Sequence, residues 1–142
     1  RWIKWLADIY RDECAKVGKQ PRIAFLREAW LGVDDAAARA TYGPHVLGYS
    51  QVYFRRGNAY NARFDPWLKD VHSAEQLTLD HVLPDRVLCG GTQTWFDQIG
   101  EWVETIEPEE IILRLRHFQG PSLSETLECI DAVARDVMPG MS

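Results

Sequence analysis

The residues best suited to chemistry lie near the C-terminal ends of three predicted strands. The last of these strands spans residues 111–116 and is followed by His117. Within it, Arg114 and Arg116 occupy alternate positions and therefore share one face. Charges on a core-facing side are costly unless they bind an anion or pair with carboxylates. We therefore expect one of two arrangements: Arg116 and His117 border a ligand pocket, or the arginines form a structural ion pair. Glu28 is one candidate partner for such a pair.

A second group consists of Cys89, Gly90, Gly91 and Thr92, at the end of the predicted strand 86–89. Two glycines before a helix let the backbone approach an anion, and the helix start supplies N–H donors. The same residues would also form an ordinary tight strand-to-helix turn in which Thr92 caps the helix. The G-x-G-x-x-G spacing of dinucleotide sites is absent. Cys89 has no activating partner in the sequence, which argues against a catalytic thiolate.

The first predicted strand, residues 23–31, carries Glu28 and Trp30 on one face and Arg27 on the other. The segment is mostly apolar, as buried parallel strands are. The pattern does not decide which face points inward. Glu28 and Trp30 are therefore either ligand contacts or side chains packed and paired within the core.

The other histidines offer no catalytic or metal-binding pattern. His45, His72 and His81 lack metal-ligand spacing such as H-E-x-x-H. We expect His45, next to a predicted helix break, to be structural. Asp80 and Asp85 lie near His81, but no serine-nucleophile motif accompanies them.

The first half of the chain predicts a helix, a strand and further helix. Apolar residues with helical spacing predict an amphipathic helix over 2–17, ended by Gly18. Asp34 is placed to cap a second helix, with a break at Gly43 and Pro44 before the pattern resumes towards Phe54. Residues 57–84 predict a long connection with short helical turns, of the kind that is often a functional or mobile segment.

In the second half, each of the two strands at 86–89 and 111–116 is followed by a helix. The helix after the glycines has a continuous apolar stripe of Trp95, Phe96, Ile99, Trp102, Val103 and Ile106. An S-x-x-E capping box at Ser122–Glu125 begins the last helix, which Pro139 ends. Its predicted core-facing residues are Leu123, Leu127, Ile130, Ala134 and Val137. Alternation of strand and helix predicts an α/β fold with a parallel sheet.

Bulk composition restricts the classes of function. The chain has 142 residues, 46% of them apolar and 26% charged, which suits one globular domain. A net charge of -5 with no Lys/Arg cluster argues against nucleic-acid binding. There is no apolar run of the ~20 residues that a membrane span needs, and no signal-peptide pattern. Three widely spaced cysteines are typical of reduced thiols in the cytoplasm.

The order of motifs after residue 83 resembles the end of the luciferase-like flavin monooxygenases. The chain reads Leu-Pro-Asp-Arg-Val-Leu-Cys-Gly-Gly-Thr before a helix, then Ile-Ile-Leu-Arg-Leu-Arg-His-Phe-Gln-Gly-Pro, then a capped helix ending Asp-Val-Met-Pro. In that family a strand ending in glycine and Ser/Thr precedes a helix, and an arginine-bearing strand precedes the last helix. The strand at 22–30 and the alanine-rich helix after it are also similar. The resemblance is weakest over 57–84.

The resemblance implies the C-terminal part of a (β/α)8 barrel, about three parallel strands with flanking helices in one partial domain. Complete barrels need ~250 residues, and the chain begins at Arg1 inside a predicted helix. We therefore interpret it as part of a longer protein. Barrel enzymes bind ligands at the C-terminal ends of their strands. The expected cofactor- or substrate-binding residues are thus Glu28, Trp30, Cys89, Gly90, Gly91, Thr92, Arg114, Arg116 and His117.

The implied function is oxidation of a small organic substrate by reduced FMN and dioxygen. A deazaflavin that transfers hydride is the alternative cofactor. Because the family's main flavin-phosphate segment lies upstream, this half of the barrel alone is not required to bind either cofactor. The alternative to an enzyme is a non-catalytic half-barrel that acts as a binding or assembly module. Because a half-barrel leaves two strand edges unpaired, we expect the 142-residue chain to be at least a dimer.

Overall fold

Helices and strands alternate through residues 2–57 and 60–141, which the computed structural model describes. The helices are α1 (Trp2–Lys16), α2 (Asp35–Arg55), α3 (Leu79–Val82), α4 (Thr92–Ile106) and α5 (Leu123–Asp136). The strands are β1 (Ala24–Leu31), β2 (Val87–Gly90) and β3 (Glu110–Arg114). The three predicted strands are confirmed, although β3 ends before Arg116.

The strands form one parallel sheet, which confirms the predicted α/β class. The strand order is β2-β1-β3, so β1 is central. The C-terminal half of β1, Glu28–Leu31, pairs with β2, and its N-terminal half, Ala24–Glu28, pairs with β3. Consecutive strands of a complete barrel are neighbours, so three successive units would have placed β2 in the centre. A parallel sheet flanked by helices is consistent with part of a barrel, but the observed order shows that β1, β2 and β3 do not pair as three consecutive barrel strands.

Helices cover both faces of the sheet. On one face, Phe25 of β1 packs edge-to-face against Trp102 of α4 at 5.4 Å between ring centroids. On the other face, Trp30 stacks on Tyr42 of α2 at 5.3 Å. The predicted α4 stripe is largely buried, with Trp95, Ile99, Trp102 and Ile106 in the core. This apolar packing on both sides fixes the sheet between α2 and α4.

The predicted helix break at Gly43 and Pro44 is wrong, because α2 continues through both residues. Pro44 is exposed, whereas Tyr42 and Val46 on either side of it are completely buried. Their packing holds the helix together despite the backbone hydrogen bond that proline cannot donate. His45 accordingly lies inside a helix, where its Nδ1 is 2.7 Å from the carbonyl oxygen of Gln119.

Two predicted caps are confirmed and one is wrong. The Asp34 carboxylate accepts a hydrogen bond from the Ala37 N–H at 2.7 Å, and the Ser122 capping box is complete. At α4 the capping position belongs to Gly91, and Thr92 is already helical. Thr92 therefore does not cap this helix.

The buried faces of α1 and α5 differ from those predicted. In α5 the Cys129 Sγ accepts a hydrogen bond from the Leu31 N–H at 3.4 Å, which turns a different stripe towards the sheet. The buried residues of this region are Thr126, Cys129, Val133 and Val137, whereas Leu123, Leu127, Ile130 and Ala134 are exposed. Likewise α1 buries Ala7 and Cys14, whereas Trp2, Leu6, Ile9 and Tyr10, which were predicted to share one side with Ile3 and Trp5, are exposed. Val17, predicted to lie on the same side, follows the end of α1 and is also exposed.

The predicted long connection with short helical turns is confirmed. It contains 3₁₀ helices at Pro66–Lys69 and Ala74–Gln76 as well as α3. Asn58, one of the residues that suggested this connection, lies outside the described residues. All three cysteines are unpaired. No helix in the described part of the chain is long and apolar enough to cross a membrane.

Candidate functional site

A cavity of about 490 Å³ lies between the long connection and β1. Its wall combines α1, β1, α2 and the connection, and it contains six aromatic side chains: Trp2, Tyr49, Tyr53, Tyr60, Phe64 and Trp67. Tyr49 and Tyr53 share a face of α2 because they are four residues apart. The volume falls within the range of about 300–1,000 Å³ that small-molecule sites occupy. We call this space the aromatic cavity.

A buried ion pair holds the connection against the start of β2. Arg86 donates hydrogen bonds to both carboxylate oxygens of Asp65, at 2.7 and 2.6 Å. Asp65 is buried, and its Oδ2 also accepts from the Asn61 N–H at 2.8 Å. The Arg86 guanidinium lies 4.8 Å from the centroid of the Tyr60 ring. This pair therefore positions one aromatic wall of the cavity as well as the connection itself.

Glu28 lines the aromatic cavity and pairs with Arg114 across the sheet. The two residues are aligned in the register of β1 and β3, which brings their side chains onto one face. Arg114 Nε donates to Glu28 Oε2 at 2.8 Å, and the terminal Arg114 nitrogen donates to Oε1. The hydrogen bond to Glu28 raises the pKa of Arg114. Glu28 is therefore the partner of Arg114. The structural ion pair was one of the two arrangements expected from the sequence.

Arg116 does not join this pair. It lies beyond the end of β3, is exposed, and donates from Nε to the carbonyl oxygen of Pro121 at 2.9 Å. Its predicted position on the strand beside Arg114 is wrong, because the pairing with β1 stops at Arg114. A ligand contact by Arg116 stays a prediction.

His117 lies behind the wall of the aromatic cavity. It is 9% exposed and stacks on Tyr49, a cavity residue, at 4.3 Å between ring centroids. Its Nδ1 is buried without a hydrogen-bond partner among the described residues. Burial lowers the pKa of His117; the neighbouring Glu28 carboxylate opposes this shift and Arg114 reinforces it. His117 is therefore a neutral ring in the folded protein near pH 7, in contact with the cavity through Tyr49.

The glycine turn after β2 already contacts an anion from this chain. The Gly91 N–H and the Thr94 hydroxyl both donate to Asp35 Oδ1, each at 2.7 Å. These hydrogen bonds lower the pKa of Asp35. A Cβ on Gly90 would lie 2.5 Å from Asp35 Oδ1, so close packing accounts for that glycine. Burial raises the pKa of Cys89 to about 11, which keeps its thiol protonated. A flavin or substrate contact here stays a prediction.

A second cavity of about 600 Å³ lies near the carboxyl end of β1. Trp30 and Thr92 line it, together with Glu125 and Arg135 from α5. The structure therefore divides the predicted site: Glu28 lines one cavity, and Trp30 and Thr92 line the other. The other six predicted site residues, all in the described part of the chain, lie outside the linings of both cavities. Trp30 also belongs to the core, where it stacks on Tyr42.

Sequence reasoning missed the residues of the aromatic cavity. Trp67 stacks on His81 at 5.0 Å and packs edge-to-face against Tyr60 at 5.1 Å. The one available signal was the concentration of aromatic residues in and before the weakly patterned connection. His81 Nδ1 accepts a hydrogen bond from the Thr78 N–H at 3.1 Å, so a neutral His81 carries its proton on Nε2.

The comparisons with known proteins support the fold. No family model matches the chain, and no curated protein matches it. The crystal structure of apo-MsnO8 is similar, with a TM-score of 0.58 and 17% sequence identity over 95% of this chain and 41% of that chain. At this identity the similarity shows a common fold alone. The chain spans about two fifths of the length of that solved chain.

Proposed function

We propose that this chain is part of a cytoplasmic flavin-dependent oxidoreductase resembling the luciferase-like monooxygenases, and that it supplies one wall of the substrate pocket. The observation that carries the proposal is the aromatic cavity of about 490 Å³ against a parallel sheet, beside the Glu28–Arg114 pair. Small-molecule sites are concave and combine aromatic side chains with placed polar groups, and this cavity combines six aromatic rings with polar and charged side chains. The order of motifs after residue 83 supports the same family.

FMN fits this chain only in part. The aromatic walls suit a flat ring system, but the groups that could hold its phosphate are engaged within the chain. Arg86 is paired with Asp65, Arg116 contacts Pro121, and the Gly91 N–H donates to Asp35. In this proposal the phosphate is held by other segments of the longer protein. When bound, reduced FMN supplies the electrons with which dioxygen oxidises the substrate.

The residues of this chain contribute binding and exclusion of water. The side chains of Tyr49, Tyr53 and Trp67 would contact the apolar body of the substrate, which removes water from the reacting atoms. Glu28 and Arg114 neutralise each other, so they present a polar edge without net charge. His117 would support the ring of Tyr49 from behind. These roles are positioning roles; no proton transfer is assigned to the chain.

A flavin titration tests the proposal. We expect the full-length protein to quench the fluorescence of FMN, or of a deazaflavin, with a saturable dependence on protein concentration. The variant Tyr53→Leu should weaken substrate-dependent oxygen consumption, whereas Tyr10→Leu, at an exposed tyrosine outside the cavity lining, should not. Absence of binding by both cofactors would eliminate the flavin assignment.

A second candidate function is assembly, and exposed apolar surface favours it. The edge strands β2 and β3 each have one partner among the described strands. Apolar residues of α1 and α5 are exposed, including Trp2, Leu6, Leu123 and Leu127. Surfaces of this kind pair with other chains. On this alternative the chain is at least a dimer; multi-angle light scattering that shows a stable, folded monomer would contradict it.

A further inference from the structure

We infer that the aromatic cavity takes a neutral, flat aromatic molecule and discriminates against organic anions and against non-planar alicyclic molecules. This inference rests on the proposed function, because such a molecule would be the substrate of the same pocket. It can nevertheless be tested without flavin. The wall of the cavity combines aromatic side chains with charged groups that are mostly paired within the protein.

The carboxylates of the wall are largely paired within the protein. Asp65 binds Arg86, Glu28 binds Arg114, and Asp80 binds Arg39 at 2.5 Å. The Asp85 side chain adds a further negative charge at the exposed rim. A bound anion would compete with these carboxylates for the same arginines. It would therefore pay desolvation without gaining an ionic partner.

Arg27 is the other arginine of the cavity wall, and its charged group packs on aromatic rings of the core. Its guanidinium lies over the rings of Phe25 and Trp102, at 5.2 and 5.6 Å from their centroids. Those rings pack on the face of the sheet opposite Glu28. Burial lowers the pKa of Arg27 to about 10, which leaves it charged at neutral pH. One terminal nitrogen of Arg27 donates to the Leu26 carbonyl oxygen at 3.2 Å, and its Nε is buried without a hydrogen-bond partner among the described residues. The Asp85 carboxylate of the same wall offsets the charge of Arg27, so the wall has little net positive charge to offer an anion.

The aromatic side chains of the wall favour flat molecules. Trp67, Tyr60 and His81 form a contiguous set of rings, joined by one stacked and one edge-to-face contact. Tyr49 and Tyr53 pack edge-to-face against each other at 6.1 Å on the α2 side. Ring faces and edges favour an aromatic guest by about 0.5–1.5 kcal/mol per ring pair beyond area burial. An alicyclic molecule of equal size would bury similar area but lose these contacts.

His81 adds a directional polar contact. Because its Nδ1 accepts from the Thr78 N–H, its Nε2 carries the proton and can donate a hydrogen bond. A neutral hydroxyl or carbonyl group on the guest can accept that hydrogen bond. The guest is therefore an aromatic alcohol, phenol or ketone rather than a plain hydrocarbon.

Isothermal titration calorimetry with three bicyclic probes of similar size tests the inference on the full-length protein without cofactor. The probes are 2-naphthol, the 2-naphthoate anion and the alicyclic alcohol 2-decalol. We expect 2-naphthol to bind about tenfold more tightly than 2-decalol, as loss of one to two ring contacts implies. We also expect it to bind more tightly than 2-naphthoate, whose carboxylate would lose its hydration without gaining an ionic partner. Equal or tighter binding of 2-naphthoate would overturn the exclusion of anions. Equal binding of 2-decalol would overturn the selection of flat molecules.

Two variants locate the binding site. Trp67→Leu and Tyr53→Leu should each weaken 2-naphthol binding about fivefold. Tyr10→Leu is the matched control, since Tyr10 is an exposed tyrosine outside the cavity lining, and this variant should bind as the original protein does. Circular dichroism checks that each variant is folded. If Trp67→Leu does not fold, Tyr53→Leu alone tests the location of the binding site. Unchanged binding in the folded cavity variants would refute the location. Binding of 2-naphthol without flavin binding would refute the proposed function and leave this inference standing.

Discussion

Replacement of Glu28 by glutamine removes a charge from a largely buried ion pair while keeping the side-chain shape. The Glu28 side chain is 10% exposed and that of Arg114 is 40% exposed. Removal of one partner from a fully buried pair costs about 3–5 kcal/mol, whereas an exposed pair contributes about 0–1 kcal/mol. Because Arg114 stays partly hydrated, we place the coupling energy between these limits, at about 2 kcal/mol.

A double-mutant cycle measures that coupling. The free energy of unfolding in urea is determined for the original protein, Glu28→Gln, Arg114→Gln and the double variant. We expect each single variant to be less stable by about 2 kcal/mol and the double variant to lose little more than either one. Fully additive losses, with a coupling below about 0.5 kcal/mol, would show that the pair does not join β1 to β3 energetically.

Three further predictions concern single residues. Asp35→Asn should lower the free energy of unfolding by about 0.5–1 kcal/mol at pH 7, measured by urea unfolding. Because the hydrogen bonds lower the pKa of Asp35 in the folded protein, this contribution is present above the ordinary pKa of 3.8 and disappears as the pH falls through the lowered pKa. Burial lowers the pKa of His117 from 6.5, so the free energy of unfolding should fall as the pH drops below about 6.5. The variant His117→Gln should show a smaller fall between pH 7.5 and 5.5. An identical pH profile for the variant and the original protein would contradict the lowered pKa of His117. Pro44→Ala should raise the melting temperature, since an exposed proline inside α2 costs up to about 3 kcal/mol; an unchanged or lower value would refute this.

The parts of the fold that depend on local chemistry were predictable from the sequence. Short apolar segments flanked by turn residues identified the three strands, and side-chain caps identified the starts of α2 and α5. The partnership of Glu28 with Arg114 was also foreseen, because a charge on a buried strand requires an opposite charge. Each of these features is decided by a few neighbouring residues or by one electrostatic requirement.

The features decided by tertiary packing were not predictable in this way. The helix through Pro44 persists because its buried neighbours pack on the sheet, which local propensity does not describe. The α5 face towards the sheet is chosen by Cys129 and Val133 although Leu127 and Ile130 are more apolar in character. The aromatic cavity joins four separate segments, so no single stretch of sequence contains its pattern.

The most direct test of the central claim is a crystal structure of the full-length protein soaked with 2-naphthol. We expect electron density for the bound ring inside the aromatic cavity, in contact with Tyr53 and Trp67 and near Glu28. A cavity filled by side chains of the remaining protein, with the probe bound elsewhere or not at all, would contradict it.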